Sequence, residues 1–453
     1  MNKNVYNNYN GNKLSQAFEF CEGYKTFLSS AKTEREVIFQ TVQMAKNAGF
    51  VNLVDVLKNG KKLKAGDKVY AVNMDKAMLL AIIGSSDLEN GLCIVGSHID
   101  SPRLDLKATP LYEDSDLCLL DTHYYGGIKK YQWTATPLAI HGVVCKKDGS
   151  KINVCVGENE NDPVFGISDL LPHLDKEKRT DVVTGEELNL LVGTIPDQNA
   201  KKDKVKANIL SILKQKDIDE DDLFSAEIEI VPAGKARDFG IDRSMVLGYG
   251  QDDKVCAYTS LMSLLSVKNP QKTCVCLLVD KEEIGSYGAT GMQSVFFENT
   301  MADILSLTTN YSDLKLRHML SNSKMLSSDV TAGYDPNRPS PFNKNTDAFL
   351  GRGIAFCKYT GSRGKSGASD ANPEYIAHLR KVLDDNGINY QATEMGKVEA
   401  GGGGTIAHIM AKYNMDVIDA GVPVLSMHAP WEITAKVDIY ETYLAYNAFY
   451  NNF

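Results

Sequence analysis

The chain contains no apolar run near the ~20 residues that a membrane-spanning helix needs. Its opening residues, MNKNVYNNYNGNKLSQ, lack the apolar core of a secretory leader, so a cytoplasmic location is expected. Positive charge is in short supply. Lys and Arg number 49 against 58 Asp and Glu, and the net charge of -9 excludes a general binder of nucleic acid or of anionic membranes. No two cysteines form a Cys-x-x-Cys pair and their total of nine is odd, which speaks for reduced thiols rather than a disulfide framework. No Gly-x-Ser-x-Gly stretch is present, so the nucleophile elbow of serine hydrolases is excluded. Internal repeats and low-complexity tails are absent as well.

What remains is an ordinary globular composition, 43% apolar and 24% charged, in a chain of 453 residues. That length is large for one core and suits two domains. Residues 12–30 and 34–48 read as helices, the second opened by the capping box Thr33-Glu34-Arg35-Glu36. GDKVYAVNMDKAMLLAIIG and GLCIVGSHID read as strands. From about residue 103 to 235 short strand-like runs follow one another with turn signals. Within them lies NAKKDKVKANILSILKQKDIDEDDL, read as a charged, solvated segment. Beyond VPAGKARDFGIDRSMVLGYG strands alternate with helices, expected at 253–267, 373–386, 404–414 and 434–450. The pattern predicts an α/β fold with a mixed, mostly parallel sheet, made of residues 1–102 and 236–453 and interrupted by a β-rich insertion over 103–235.

In such sheets ligands gather at the carboxyl ends of the strands. Five strand-like runs in this chain end on residues able to bind metal. GLCIVGSHIDSPRLD delivers His98 and Asp100, and MVLGYGQDDKVCAY delivers Asp252 and Asp253. CVCLLVDKEEIGS delivers Glu282 and Glu283, KMLSSDVTAGYDP delivers Asp329, and VPVLSMHAPWE delivers His428. Singly, each is an unremarkable polar loop residue. Imidazoles and carboxylates without Cys suit a pair of zinc ions or similar divalent metals, about 3.5–4 Å apart and sharing one carboxylate. Glu282 and Glu283 leave their strand in different directions, so one can bind metal while the other serves as general base. Asp100 can accept the second ring N–H of His98 and fix its tautomer.

The order His-x-Asp, Asp-Asp, Glu-Glu, Asp, His resembles the dizinc co-catalytic metalloaminopeptidases. GSHIDSPRLDLK together with SMHAPWE resembles the aspartyl aminopeptidase family over nearly the whole chain. The resemblance implies a phosphorylase/hydrolase-like catalytic domain with a dimerising insertion, assembled into tetrahedral dodecamers. It implies that His98 and Asp329 hold one zinc, Glu283 and His428 the other, and that Asp252 bridges them. Cobalt or manganese can substitute. Glu282 is then general base and acid beside a dizinc-activated hydroxide, and Asp253 a helix cap. The implied reaction removes the N-terminal residue from short peptides. Lys358, in GIAFCKYTGSRGKSG, matches a lysine that reads an acidic N-terminal side chain, and the run Glu399 to Thr405 matches a glycine-rich loop near the substrate. His173, in GISDLLPHLDKEK, matches a histidine that reaches the substrate in a neighbouring subunit. The chain departs from the family after Asp329, where Val-Thr-Ala replaces the usual His, and after Lys358, so a neutral or leucine-type preference stays open. Nucleotide binding is a distant alternative, because GSRGKSG resembles a phosphate loop but has Tyr359 where the motif needs glycine.

Overall fold

The computed structural model describes residues 4–171, 173–174, 183–361 and 363–453. The chain divides into two compact units. The first comprises Met1–Asp100, Ala236–Met427 and Glu432–Phe453, and the second comprises Ser101–Lys235 with His428–Trp431.

A nine-stranded sheet forms the spine of the first unit. Its strands lie in the order Val51–Asn52, Lys68–Asn73, Ala77–Ile82, Cys274–Val279, Cys93–His98, Lys324–Ser327, Asp416–Gly421, Ile354–Cys357 and Tyr390–Thr393. The sheet is mixed. Cys93–His98 pairs in parallel with both neighbours, and Lys324–Ser327 continues in parallel with Asp416–Gly421. Ala77–Ile82 and Ile354–Cys357 run antiparallel to the strands beside them nearer the centre. The central strands are apolar throughout because both of their faces are covered. Alternation along them shows this directly. Cys274, Cys276 and Leu278 join one core, with helices Gly11–Ser30, Gln251–Ser266 and Lys436–Asn452. Val275, Leu277 and Val279 join the other, with helices Phe296–Thr308 and Asp313–Ser321. A separate five-stranded sheet runs Arg237–Phe239, Met245–Gly248, Glu432–Ala435, Pro423–Leu425 and Thr331–Ala332.

The predicted capping box is formed: Thr33 Oγ1 accepts from the Glu36 N–H, and the Glu36 carboxylate accepts from the Thr33 N–H. The expected helix at 404–414 is shorter, an α-turn Ala407–Met410 continued by a 3-10 turn to Tyr413. Four glycines precede it, and they favour loop over helix.

The second unit contains a six-stranded sheet in the order Lys151–Val156, Leu138–Cys145, Ala226–Pro232, Arg103–Asp114, Leu117–Tyr125 and Leu190–Gly193. All of its pairings are antiparallel. The charged segment read as solvated contains the helix Lys204–Lys214, which buries Val205. No helix among the described residues is long and apolar enough to cross a membrane.

Candidate metal centre

Four chain segments of the first unit converge. The strand Cys93–His98 ends on buried His98, with buried Asp100 two residues on. The strand Met245–Gly248 leads through Gly250, in the left-handed conformation, into the helix Gln251–Ser266 with Asp252 and Asp253 in its first turn. Cys274–Val279 leaves its sheet through Lys281, at a φ of 68°, into the 3-10 turn Glu282–Ile284. Lys324–Ser327 is followed by half-buried Asp329.

Two groups of ligand atoms result, each with all its atoms within 4.8 Å of one another. One is His98, Asp252 and Glu283, and the other is His98, Asp253 and Asp329. His98 links the two. Its Nε2 lies 3.1 Å from Asp252 Oδ1 and 4.0 Å from Glu282 Oε2. Its Nδ1 faces Asp100, 3.2 Å from Oδ1 and 3.1 Å from the main-chain oxygen. Asp100 also accepts the backbone N–H of Glu282 on Oδ1 and of Glu283 on Oδ2, both at 3.1 Å. A single carboxylate therefore orients the imidazole and the turn that carries the two glutamates.

The charges show what this cluster suits. Burial alone would lower the pKa of His98. Its hydrogen bonds to Asp100 and Asp252 and the charge of Asp253 outweigh burial and hold it well above the ordinary value. Burial pushes the Asp253 and Asp329 carboxyls well above the carboxylate range, and the neighbouring acids add to the shift. Without a cation the cluster retains protons that water would remove. A divalent ion neutralises the same charge without them, and the hard oxygen and imidazole donors are those zinc accepts. The residues present therefore fit a metal.

Asp253 departs from the sequence reading. The helix carries no side-chain cap at its N-terminus, and Asp253 is fully buried with its carboxylate against His98 and Asp329. Its neighbour Asp252 is held from behind by Glu432, which is buried and whose Oε2 accepts the Asp252 N–H at 3.1 Å. Glu432 received no role from the sequence, although it closes the SMHAPWE stretch; only the fold reveals that it faces Asp252.

The remaining predicted residues are in neither of these two groups. His428 belongs to the second unit, where its Nδ1 meets the Gly127 carbonyl at 2.9 Å. With Nδ1–H donating, Nε2 carries the lone pair that a metal would use. His173 also lies in the second unit, exposed in a turn closed by the Leu174 N–H on the Leu171 carbonyl. Part of its surrounding motif, residues 172 and 175–182, falls outside the described residues. Lys358 is exposed just beyond the strand Ile354–Cys357, and its carbonyl accepts the Ala371 N–H.

Buried imidazole and carboxylates at the strand ends of an α/β fold define a metal-dependent hydrolase. Comparison makes the class specific. The family profile described as aminopeptidase I zinc metalloprotease (M18) matches residues 27–450, and the chain belongs to this family of zinc-dependent aminopeptidases. It is 58% identical to a probable M18 family aminopeptidase 1 of Clostridium acetobutylicum, over 99% of this chain and 98% of that one. Its structure is similar to that of an M18 aminopeptidase from Thermotoga maritima, with a TM-score of 0.95 and 43% identity over the full length of both chains. The aminopeptidase I structure from Clostridium acetobutylicum superposes with a TM-score of 0.93 at 55% identity, covering 99% of each chain.

Proposed function

We propose that this aminopeptidase works with two zinc ions and with Glu282 as general base, releasing N-terminal residues with a preference for Asp and Glu. The convergence of His98, Asp252, Glu283 and Asp329 around one buried imidazole carries the reading. His98 and Asp329 would hold one zinc, Glu283 and His428 the other, with Asp252 between them. Bound zinc acidifies water and polarises a carbonyl. Glu282 takes the proton from the attacking water and delivers it to the leaving amine. Asp100 keeps His98 and the Glu282–Glu283 turn in register. The cluster's carboxylates attract the substrate's α-ammonium, which confines cleavage to the first residue. A panel of aminoacyl arylamides tests this, assayed after dialysis against a chelator and again with zinc, cobalt or manganese. Activity that survives chelation, or a lack of any N-terminal preference, refutes it.

For specificity, Lys358 pairs with an acidic first side chain. Lys358→Ala should then lose ~1.5–3 kcal/mol of transition-state binding on Asp and Glu substrates, and little on Leu or Ala. Equal losses on every substrate would remove Lys358 from this role. The exposure of Lys358 favours a second reading, a neutral preference, because solvent weakens an exposed ion pair.

The inserted unit would join chains into dimers and these into a dodecamer, with His173 donating a hydrogen bond to the developing oxyanion in the neighbouring subunit's site. Support comes from the exposed Leu170, Leu171 and Leu174 around His173. His173→Phe should keep its metals and its assembly yet lose most of its turnover. Mixing it with Glu282→Gln under subunit exchange should restore some activity. No rescue despite proven exchange would confine His173 to its own chain or to no catalytic role.

A further inference from the structure

Glu282 and Glu283 ride on a loop that leaves the sheet at Asp280 and returns at Gly291, where the two residues form an isolated parallel bridge. The mechanism uses neither Asp280 nor Thr290, yet both are buried, at 1% and 3% exposure. Thr290 Oγ1 donates to Asp280 Oδ2 at 2.5 Å, and the Asp280 N–H donates to the Thr290 carbonyl at 3.3 Å. The ammonium groups of Lys76 and Lys281 lie 3.8 and 3.7 Å from the same Asp280 oxygen. Outward from this root the loop is closed in steps. The Ser286 N–H donates to the Lys281 carbonyl at 2.6 Å, the Gly285 N–H to Glu282, and the Gln293 N–H to Ser286. A Cβ at Gly291 would stand 2.3 Å from the Ser286 carbonyl oxygen, so the return path has no slack. On its far side the Asn73 amide donates to the Ala289 carbonyl.

A burial of this kind needs a reason. A carboxylate placed in dry protein costs stability unless its partners recover it. Burial, with the acids Glu34 and Asp100 nearby, pushes the Asp280 carboxyl up to about 7, and the residue that ends the loop and the cations at its root recover only part of that cost. Shifting that root would swing the 3-10 turn, and with it the Glu282 carboxylate. Proton transfer requires heavy atoms within about 2.6–3.2 Å, and a misplacement of about 1 Å costs on the order of 100-fold.

We infer that the Asp280–Thr290 pair is a positioning clasp that holds the Glu282 carboxylate at its proton-transfer distance; this rests on Glu282 being the general base. Neither clasp residue touches the reacting atoms. The test is Thr290→Val, which keeps the shape of the side chain and removes its donor, studied beside Thr290→Ser and Glu282→Gln. In excess zinc Thr290→Val should lower kcat by about 10- to 100-fold, leaving KM and metal content as in the parent. Thr290→Ser should restore kcat. The loss should be smaller on an aminoacyl aryl ester, whose leaving phenolate needs no proton, than on a peptide. A Thr290→Val enzyme with parental kcat beside an inactive Glu282→Gln overturns the clasp and spares the base. Full turnover by Glu282→Gln overturns the base and the clasp with it. Loss of metal even in excess zinc, or failure of Thr290→Ser to rescue, would make the pair merely structural. Should Thr290→Val not fold, Thr290→Ala is read by the same criteria.

Discussion

Glu282→Gln should turn over peptides at least about 100-fold more slowly than the parent while carrying its full complement of metal. The two adjacent glutamates are held by different atoms of one partner, Asp100, and point to different tasks. Glu283 contributes a ligand atom to the group with His98 and Asp252. Glu282 has its Oε2 4.0 Å from His98 Nε2 and lies in neither ligand group. An amide at position 282 keeps size and polarity but cannot take a proton. An amide at position 283 weakens a metal bond, so Glu283→Gln should lose metal on dialysis and regain activity with excess zinc. Metal analysis of both variants decides the matter. A Glu282→Gln protein without metal beside a fully loaded Glu283→Gln protein would reverse the assignment.

Removing the metal should abolish activity and also weaken the fold, increasingly so as pH rises. Ligand present at 100 to 1,000 times its Kd stabilises a protein by ~2.7–4.1 kcal/mol per site, and chelation forfeits that. The pH trend follows from the shifted groups. Asp253 and Asp329 in the metal-free fold keep protons above the ordinary carboxylate range, so the folded chain binds more protons than the unfolded one. Stability then falls as pH climbs above about 4, the carboxylate value of the unfolded chain. His98, raised above its ordinary value, adds stability that is complete below about 6.5 and is lost as pH rises through its folded value. Both trends have the same sign. The metal-free protein should therefore melt at progressively lower temperature from pH 5 to 8, the gap to the zinc-loaded protein widening throughout. A gap that stays constant or narrows over this range would show that the cluster does not carry these protons.

The strand ends were legible because central strands must be apolar, so ligand-type residues at each exit stand out, as His98 does at the end of Cys93–His98 and Glu282 does shortly after Cys274–Val279. The role of Asp253 was not legible. Acidic residues at a helix start read as caps, and only the backbone, which is non-helical at Asp252 and Asp253, turns the second carboxylate towards His98 and Asp329. Lys204–Lys214 was hidden by its lysines, which mask a helix burying little more than Val205. Glu432 and Asp280 act through backbone N–H groups and neighbouring side chains distant in sequence, and no local pattern announces such partners.

The all-buried strand Cys93–His98 sits between Cys274–Val279 and Lys324–Ser327. During synthesis it leaves the ribosome long before either neighbour exists. At roughly 5–20 residues per second the wait is on the order of ten seconds or more, with both of its apolar edges unpaired. For that interval both edges are open to pairing with another chain. The imidazole at the tip of that strand has Asp100 beside it from the start but waits for Asp252, Glu283 and Asp329, so the cluster can assemble only after Asp329 has been made.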